Sequence, residues 1–135
     1  MAQIHPAVNG IHEAALYVDD LAQAERFWRR LGFQLITRNE GRDVFFRVGG
    51  DLVLCFNAAA TREGGRVPPH GAEGQGHVAF DVPDEEALKR WRSFLDVAGV
   101  EVEAELTWPA GGRSLYFRDP SGNSIELITR GSWGF

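Results

Sequence analysis

The sequence has a single cysteine and no hydrophobic run long enough to cross a membrane. Cys55 alone can form neither an intramolecular disulfide nor a cysteine-rich zinc site, and its place in the apolar run 52–56 predicts a buried side chain. No stretch approaches the roughly 18 apolar residues of a membrane helix. Residues 1–10 lack the basic and apolar regions of a secretory signal. We therefore expect a cytoplasmic protein without a membrane partner.

Basic residues are also fewer than acidic residues. The chain has 14 Lys and Arg against 19 Asp and Glu, a net charge of −5, whereas nucleic acids and acidic membranes are bound by positive surfaces. We expect neither as a partner. Hydrophobic residues, in contrast, make up 44% of the sequence and include nine Phe and four Trp. This supply is sufficient for one compact domain over residues 1–135, which is too short for two.

The chain contains the same pattern twice. Segments 13–20 and 77–84 each begin with a possible metal ligand, alternate like a half-buried strand, and end on an Asp that can cap a helix. Apolar residues at helical spacing follow in both halves, and Gly32 and Gly99 then stand where a left-handed C-cap belongs. The second helical pattern repeats the first after 67 residues, a shift that also separates Gly32 from Gly99. The helical positions are Leu21, Ala24, Trp28 and Leu31 in the first half and Leu88, Trp91, Leu95 and Ala98 in the second.

Three strand-like runs follow each predicted helix, and the short gaps between them carry Gly or Pro, as antiparallel turns do. Segment 58–75, with six Gly and Pro residues and no periodicity, predicts a linker or flap between a first unit at about 11–57 and a second at about 76–129. The predicted fold is α+β: two tandem βαβββ units of mixed and antiparallel sheet, with helices outside and the open sheet faces forming a shared cleft. The strand-like runs are 33–38, 42–48 and 51–57 in the first unit and 100–107, 113–118 and 123–129 in the second.

This organisation resembles the vicinal oxygen chelate superfamily, which includes glyoxalase I, extradiol dioxygenases and bleomycin-binding proteins. The resemblance covers nearly the whole chain and rests on segments 15–21, 76–80 and 117–127. Its most specific part is the stretch Asp-Pro-Ser-Gly-Asn-Ser-Ile-Glu-Leu at 119–127. The resemblance implies the fold given above and a small-molecule site in the cleft, where ligands usually bind.

The resemblance also implies where a metal would be held. Members that bind metal place ligands at the start of the first strand and in the last strand of each unit, and these positions fall here on Glu13, His77 and Glu126. The fourth position falls on Val53 or Leu54, neither of which can bind a metal, so the sequence departs from the four-ligand pattern of glyoxalase I. One imidazole and two carboxylates suit a divalent ion such as Zn, Ni, Mn, Fe or Co.

Side-chain alternation along the strands gives an independent check on these three residues. Successive side chains of a strand point to opposite faces, and the apolar positions define the face that packs against the helix. Glu13, His77 and Glu126 all fall on the other face, toward the cleft. His12 is the alternative to Glu13 because imidazole is the commoner ligand, but it falls on the apolar face unless a bulge shifts the start of the strand.

Other side chains are expected to contact substrate or to take part in catalysis. Glu126 is a candidate catalytic group as well as a ligand, and His70 is a candidate base if its flexible segment swings over the cleft, with a surface histidine as the alternative. The tail 131–135, with Trp133 and Phe135, is expected to contribute to a homodimer, which is common in the resembled superfamily. The expected substrate contacts are Tyr17, Trp108, Tyr116, Ser124 and Arg118.

Two functions from different classes are compatible with this sequence. The first is a divalent-metal-dependent lyase, isomerase or dioxygenase-type enzyme that chelates vicinal oxygens of a small substrate. The second is a metal-free protein of the bleomycin-resistance type that binds a drug or metabolite, and the negative net charge would suit a cationic ligand. Stoichiometric metal in the purified protein would distinguish the enzyme from the binding protein.

Overall fold

The computed structural model describes residues 5–134 and contains two four-stranded sheets, one for each predicted unit. The strand order is β1-β4-β3-β2 in the first sheet and β5-β8-β7-β6 in the second; the β1–β4 and β5–β8 pairs are parallel and the others antiparallel. The predicted α+β fold of tandem βαβββ units is confirmed. The elements are β1 (Glu13–Tyr17), α1 (Leu21–Arg30), β2 (Gln34–Asn39), β3 (Asp43–Val48), β4 (Asp51–Phe56), α2 (Ala58–Arg62), β5 (His77–Val82), α3 (Glu85–Val97), β6 (Ala104–Thr107), β7 (Arg113–Arg118) and β8 (Ser124–Thr129).

Helices α1 and α3 begin and end where the repeat predicts. The side chains of Asp20 and Asp84 each accept a hydrogen bond from the backbone N–H three residues further on, at 3.0 and 2.7 Å. Gly32 and Gly99 follow the two helices with φ of 90° and 76°, the left-handed conformation that ends a helix and favours glycine. None of the helices in the described part of the chain has the length and apolar character needed to cross a membrane.

The helix-covered faces of the two sheets share one hydrophobic core. Trp28 of α1 is fully buried, and its ring lies 5.8 Å from that of Phe80 on β5. Phe33, directly after α1, stacks on Trp91 of α3 with ring centroids 6.0 Å apart. Burying an aromatic side chain of this size contributes about 1.5–3 kcal/mol. Aromatic packing therefore fixes how the two units lie against each other.

Asn123, in the turn before β8, joins the two units with its side chain. It is 1% exposed; its Nδ2 donates to the carbonyl of Tyr17 at 3.1 Å and to Asp119 at 2.9 Å. Its Oδ1 accepts from the backbone N–H of Gly76 at 2.7 Å. The end of β1 and the start of β5 are thereby held to the same turn. This turn belongs to the segment that carries the resemblance most specifically.

The segment between the units is more ordered than its composition predicts. Asn57 caps α2 by accepting a hydrogen bond from the backbone N–H of Ala60 at 3.1 Å, and three consecutive alanines then favour a helical turn. The backbone N–H of His70 donates to the carbonyl of Thr61 at 3.1 Å, which folds the rest of the segment back onto the helix.

Strand β6 is shorter than the predicted run 100–107 and covers only Ala104–Thr107. Val100 and Val102 pack against the core instead, and the first hydrogen bond to β7 in this region runs from the N–H of Glu103 to the carbonyl of Tyr116 at 2.7 Å. Apolar side chains before the strand had the same pattern as strand residues, so alternation alone could not locate its start.

Replacing Asn123 with Ala is expected to lower the free energy of unfolding by about 2–4 kcal/mol, because it leaves buried polar groups of both units without a partner. Urea denaturation measures the loss. The control is Ser121→Ala, which removes a more exposed hydrogen bond between the units, from the N–H of Asp19 at 3.0 Å, and should cost less than about 1 kcal/mol. Equal losses in the two variants would show that Asn123 does not hold the units together.

Candidate metal centre

Two of the predicted ligands, His77 and Glu126, lie side by side on the open face of the second sheet. The parallel pairing of β5 with β8 sets His77 opposite Ser124 and Ala79 opposite Glu126. This register brings the imidazole Nε2 of His77 to 3.2 Å from Oε2 of the Glu126 carboxylate. The alternation argument therefore predicted their shared face correctly.

The Glu126 carboxylate is buried and held on one side by hydrogen bonds. Only 6% of the residue is exposed. Its Oε1 accepts from the hydroxyl of Ser114 at 2.5 Å and from the phenol of Tyr116 at 2.9 Å, both on the neighbouring strand β7. A buried carboxylate is stable only when its oxygens are compensated in this way. The hydrogen bonds leave Oε2 as the oxygen that faces His77.

The His77 ring is fixed in the orientation that a metal ligand needs. Its Nδ1 lies 3.0 Å from the carbonyl oxygen of Ser124, which can only accept, so Nδ1 carries a proton. In the neutral ring, Nε2 then presents a lone pair to the oxygen of Glu126, and the two atoms need a proton or a cation between them. Ligand bonds of about 2.0–2.2 Å place neighbouring ligand atoms of one divalent ion about 3 Å apart. The pair therefore fits such an ion, with the histidine held through its other nitrogen.

An aromatic pair extends this hydrogen-bonded group. The indole Nε1–H of Trp108 donates to the hydroxyl oxygen of Ser114 at 2.7 Å. Trp133, which is 75% exposed, stacks on Trp108 with ring centroids 6.1 Å apart. Trp108 thus lies beside the His77–Glu126 pair, while Phe135 of the predicted tail lies outside the described residues.

Glu13, the third predicted ligand, does not lie beside His77 and Glu126 in the folded chain. It is exposed and lines a cleft of about 450 Å³ between the two units, together with Ala79 and Asp81 of β5. Across residues 5–134, no three His, Cys, Asp or Glu side chains come together closely enough to hold a metal ion. A single chain therefore does not bring Glu13 to His77 and Glu126, and the three-ligand set stays a prediction.

The strand register shows which of Val53 and Leu54 occupies the fourth ligand position. Leu54 pairs with Ala15 in the first sheet, just as Glu126 pairs with Ala79 in the second, so Leu54 is the position equivalent to Glu126. Leu54 is buried and apolar. It therefore cannot act as a fourth metal ligand, as the sequence predicts. His12 lies before β1, and its backbone carbonyl accepts a hydrogen bond from the N–H of Leu52 at 3.2 Å; the structure leaves His12 as the alternative to Glu13.

His70 and Tyr17 form a separate polar pair on the first sheet. The phenol of Tyr17 lies 2.7 Å from Nδ1 of His70, and the His70 ring packs edge-on against Phe56 at 4.7 Å. The pair does not join the His77–Glu126 pair within one chain.

Arg118 is already engaged by groups of its own chain. Its guanidinium donates to both carboxylate oxygens of Glu103, at 2.9 and 3.3 Å, and to the carbonyl of Gly122 at 3.0 Å. An arginine held in this way on the protein surface is not a free clamp for a substrate anion. Its role in substrate binding is still only a prediction.

Ser114 is the polar residue of this centre that sequence reasoning missed. It is 1% exposed and connects Trp108 to Glu126. The signal was present, because Ser114 stands two residues before Tyr116 on β7 and so shares its face.

Comparison with known families matches residues 10–127 to the Glyoxalase/Bleomycin resistance protein/Dioxygenase superfamily. The chain belongs to this superfamily. It is 31% identical over 122 residues to the glutathione transferase FosA of Serratia marcescens, a match that covers 89% of this chain and 80% of that protein.

Solved structures of glyoxalase-type proteins have the same fold. The crystal structure of a lactoylglutathione lyase from Agrobacterium tumefaciens superimposes with a TM-score of 0.91 and 36% identity, covering 96% of this chain and 100% of that one. A glyoxalase/bleomycin resistance protein/dioxygenase from Nocardioides is similar in fold, with a TM-score of 0.71 and 24% identity over 93% of this chain and 86% of that one. The transferase and the lyase are enzymes by name, which supports a glyoxalase-superfamily enzyme over a metal-free binding protein.

The tyrosine beside Glu126 should ionise at unusually high pH. Burial, then the hydrogen bond to Glu126 and the charge of that carboxylate, raise the pKa of Tyr116 above its usual value of 10.0. The chain has only two tyrosines, so Tyr17→Phe leaves Tyr116 alone in an ultraviolet pH titration of the metal-free protein. We expect its pKa above 10, and a shift back toward 10 on adding Glu126→Gln. An ordinary pKa in Tyr17→Phe would contradict the described hydrogen bond.

Proposed function

We propose that this protein is a divalent-metal-dependent enzyme of the lyase, isomerase or dioxygenase type, acting on a small substrate with two adjacent oxygens. The observation that carries the proposal is the 3.2 Å approach of His77 Nε2 to Glu126 Oε2. Each of these atoms is left free because the other polar atom of its side chain is committed elsewhere. When bound there, a divalent ion would polarise a substrate carbonyl and stabilise negative charge on its oxygen.

The chain's own residues would bind, orient and exchange protons with the substrate. Glu126 would hold the ion through Oε2, and it would take up a proton from substrate only after releasing the ion or one of the donors on Oε1. Trp108 would form an aromatic wall of the site. Tyr116 and Ser124 would act by orienting Glu126 and His77, with which they are hydrogen bonded. Arg118 would contact substrate only after releasing Glu103.

A homodimer would complete the site. Two protein ligands are fewer than the three that catalytic divalent ions usually have, and Glu13 lies outside the pair in its own chain. The helix-covered faces of both units are already buried in the shared core. A second copy can therefore present the open face of its first unit to the second unit of this chain, so that Glu13 of the partner subunit becomes the third ligand.

The same arrangement would give His70 a catalytic role. Tyr17 lies on the unit that carries Glu13, and His70, in the segment that follows this unit, is hydrogen bonded to the Tyr17 side chain at 2.7 Å. A partner that supplies Glu13 would therefore supply this pair as well, with His70 as the base and Tyr17 in contact with substrate.

The named relatives indicate where a substrate search should start. Glutathione occurs in the names of both the transferase from Serratia marcescens and the lyase from Agrobacterium tumefaciens. Glutathione with small electrophiles, and S-lactoylglutathione, are therefore the first compounds to test.

Elemental analysis of protein purified without a histidine tag tests whether the protein binds a metal ion. Wild type should contain near-stoichiometric divalent metal, and Glu126→Gln should lose most of it because Oε2 becomes part of a neutral amide. Glu103→Gln is the matched control; its carboxylate pairs with Arg118 on the surface and its loss should leave the metal content unchanged. No metal in wild type, even after incubation with Mn, Fe, Co, Ni and Zn, would exclude this enzyme and favour a metal-free binding protein.

A mixing experiment tests the shared site. Glu13→Gln and Glu126→Gln should each bind little metal alone, but random exchange of their subunits should restore about a quarter of the wild-type metal, because half of the dimers are mixed and each has one intact site. His12→Ala should keep full metal content if Glu13 is the ligand. The shared site is wrong if mixing restores no metal although the subunits exchange.

A further inference from the structure

We infer that Trp108, Ser114 and Tyr116 restrict Glu126 to binding an ion through one oxygen, which leaves one more coordination position open to substrate than chelation through both carboxylate oxygens would. This inference rests on the proposed function.

The direction of the hydrogen bonds is fixed by Trp108. An indole N–H can only donate, so at 2.7 Å it must donate to the hydroxyl oxygen of Ser114. The hydroxyl has a single proton, and Glu126 Oε1 at 2.5 Å is its acceptor. The phenol of Tyr116 donates to the same oxygen at 2.9 Å. Oε1 therefore accepts from two donors.

Burial prevents the carboxylate from turning. Ser114 is 1% exposed and Glu126 6% exposed, so water cannot readily replace the Ser114 donor, whereas Tyr116 is only part-buried. Chelation of an ion by both oxygens of Glu126 would require Oε1 to leave both donors, and a buried donor without a partner is costly. Only Oε2, which faces His77, is free.

The stack with Trp133 supports the ring that starts this hydrogen-bond chain. Trp133 packs on Trp108 with ring planes 29° apart. A carboxylate that chelates occupies two positions around an ion, whereas one bound through a single oxygen occupies one. One more position around the ion is then available to a two-oxygen ligand such as a hydroxamate or a hydroxyketone.

The test uses the full-length protein loaded with Co(II), whose visible spectrum reports the number of ligands. Acetohydroxamate is the two-oxygen probe. In the double variant Ser114→Ala/Tyr116→Phe, Glu126 is free to chelate, so acetohydroxamate should bind about tenfold or more weakly, a typical effect of removing groups that orient a ligand. Affinity for Co(II) itself should stay the same or rise. Trp108→Phe, which frees the Ser114 hydroxyl to turn, should show a smaller change in the same direction.

The control is Ser132→Ala, which removes another buried hydroxyl whose hydrogen bond goes to the carbonyl of Thr129 and should leave acetohydroxamate binding unchanged. The inference is wrong if the double variant binds acetohydroxamate as tightly as wild type does, or if it loses Co(II) together with acetohydroxamate. Neither result would contradict a metal site in the wild-type protein. Failure of wild type to bind Co(II) would overturn the proposed function and this inference with it.

Discussion

The structure depends on the side chain of Asn123. Its amide holds the end of β1 through the Tyr17 carbonyl and the start of β5 through the Gly76 N–H. Because His77 follows Gly76 directly, this contact also fixes where β5 begins beside β8. A shift of one residue in a strand would turn every side chain to the opposite face. The position of Nε2 opposite the carboxylate of Glu126 therefore rests on a hydrogen-bonded turn that does not itself touch the site.

Short-range patterns in the sequence correctly predicted the helix ends and the sheet faces on which side chains lie. The helix caps at Asp20 and Asp84 follow from short-range hydrogen bonding, and alternation placed His77 and Glu126 on one face. The position of Glu13 relative to that pair could not be predicted, because it depends on how the two units pack. Contacts such as the 5.8 Å approach of Trp28 to Phe80 decide that packing, and periodicity indicates only that such residues are buried.

The two units have diverged in a chemically simple way. Leu54 and Glu126 occupy equivalent places in the last strand of each unit, one apolar and one a buried carboxylate. A carboxylate at such a place needs donors around it, and only the second unit provides them, from Ser114 and Tyr116. The sequence revealed the difference between Leu54 and Glu126 and singled out Tyr116, but Ser114 was missed, since a serine in a strand is mostly a surface residue.

Fluorescence emission from the stacked indoles of Trp108 and Trp133 would respond to a metal ion at the candidate centre. Trp108 is separated from the Glu126 carboxylate only by the hydroxyl of Ser114, through contacts of 2.7 and 2.5 Å. An open-shell ion such as Co(II) or Ni(II) held at that carboxylate would therefore lie close to both rings and quench their emission, whereas Trp28 lies in the core, where it is fully buried. Emission from these two rings would then report metal binding at the candidate centre in real time without a label.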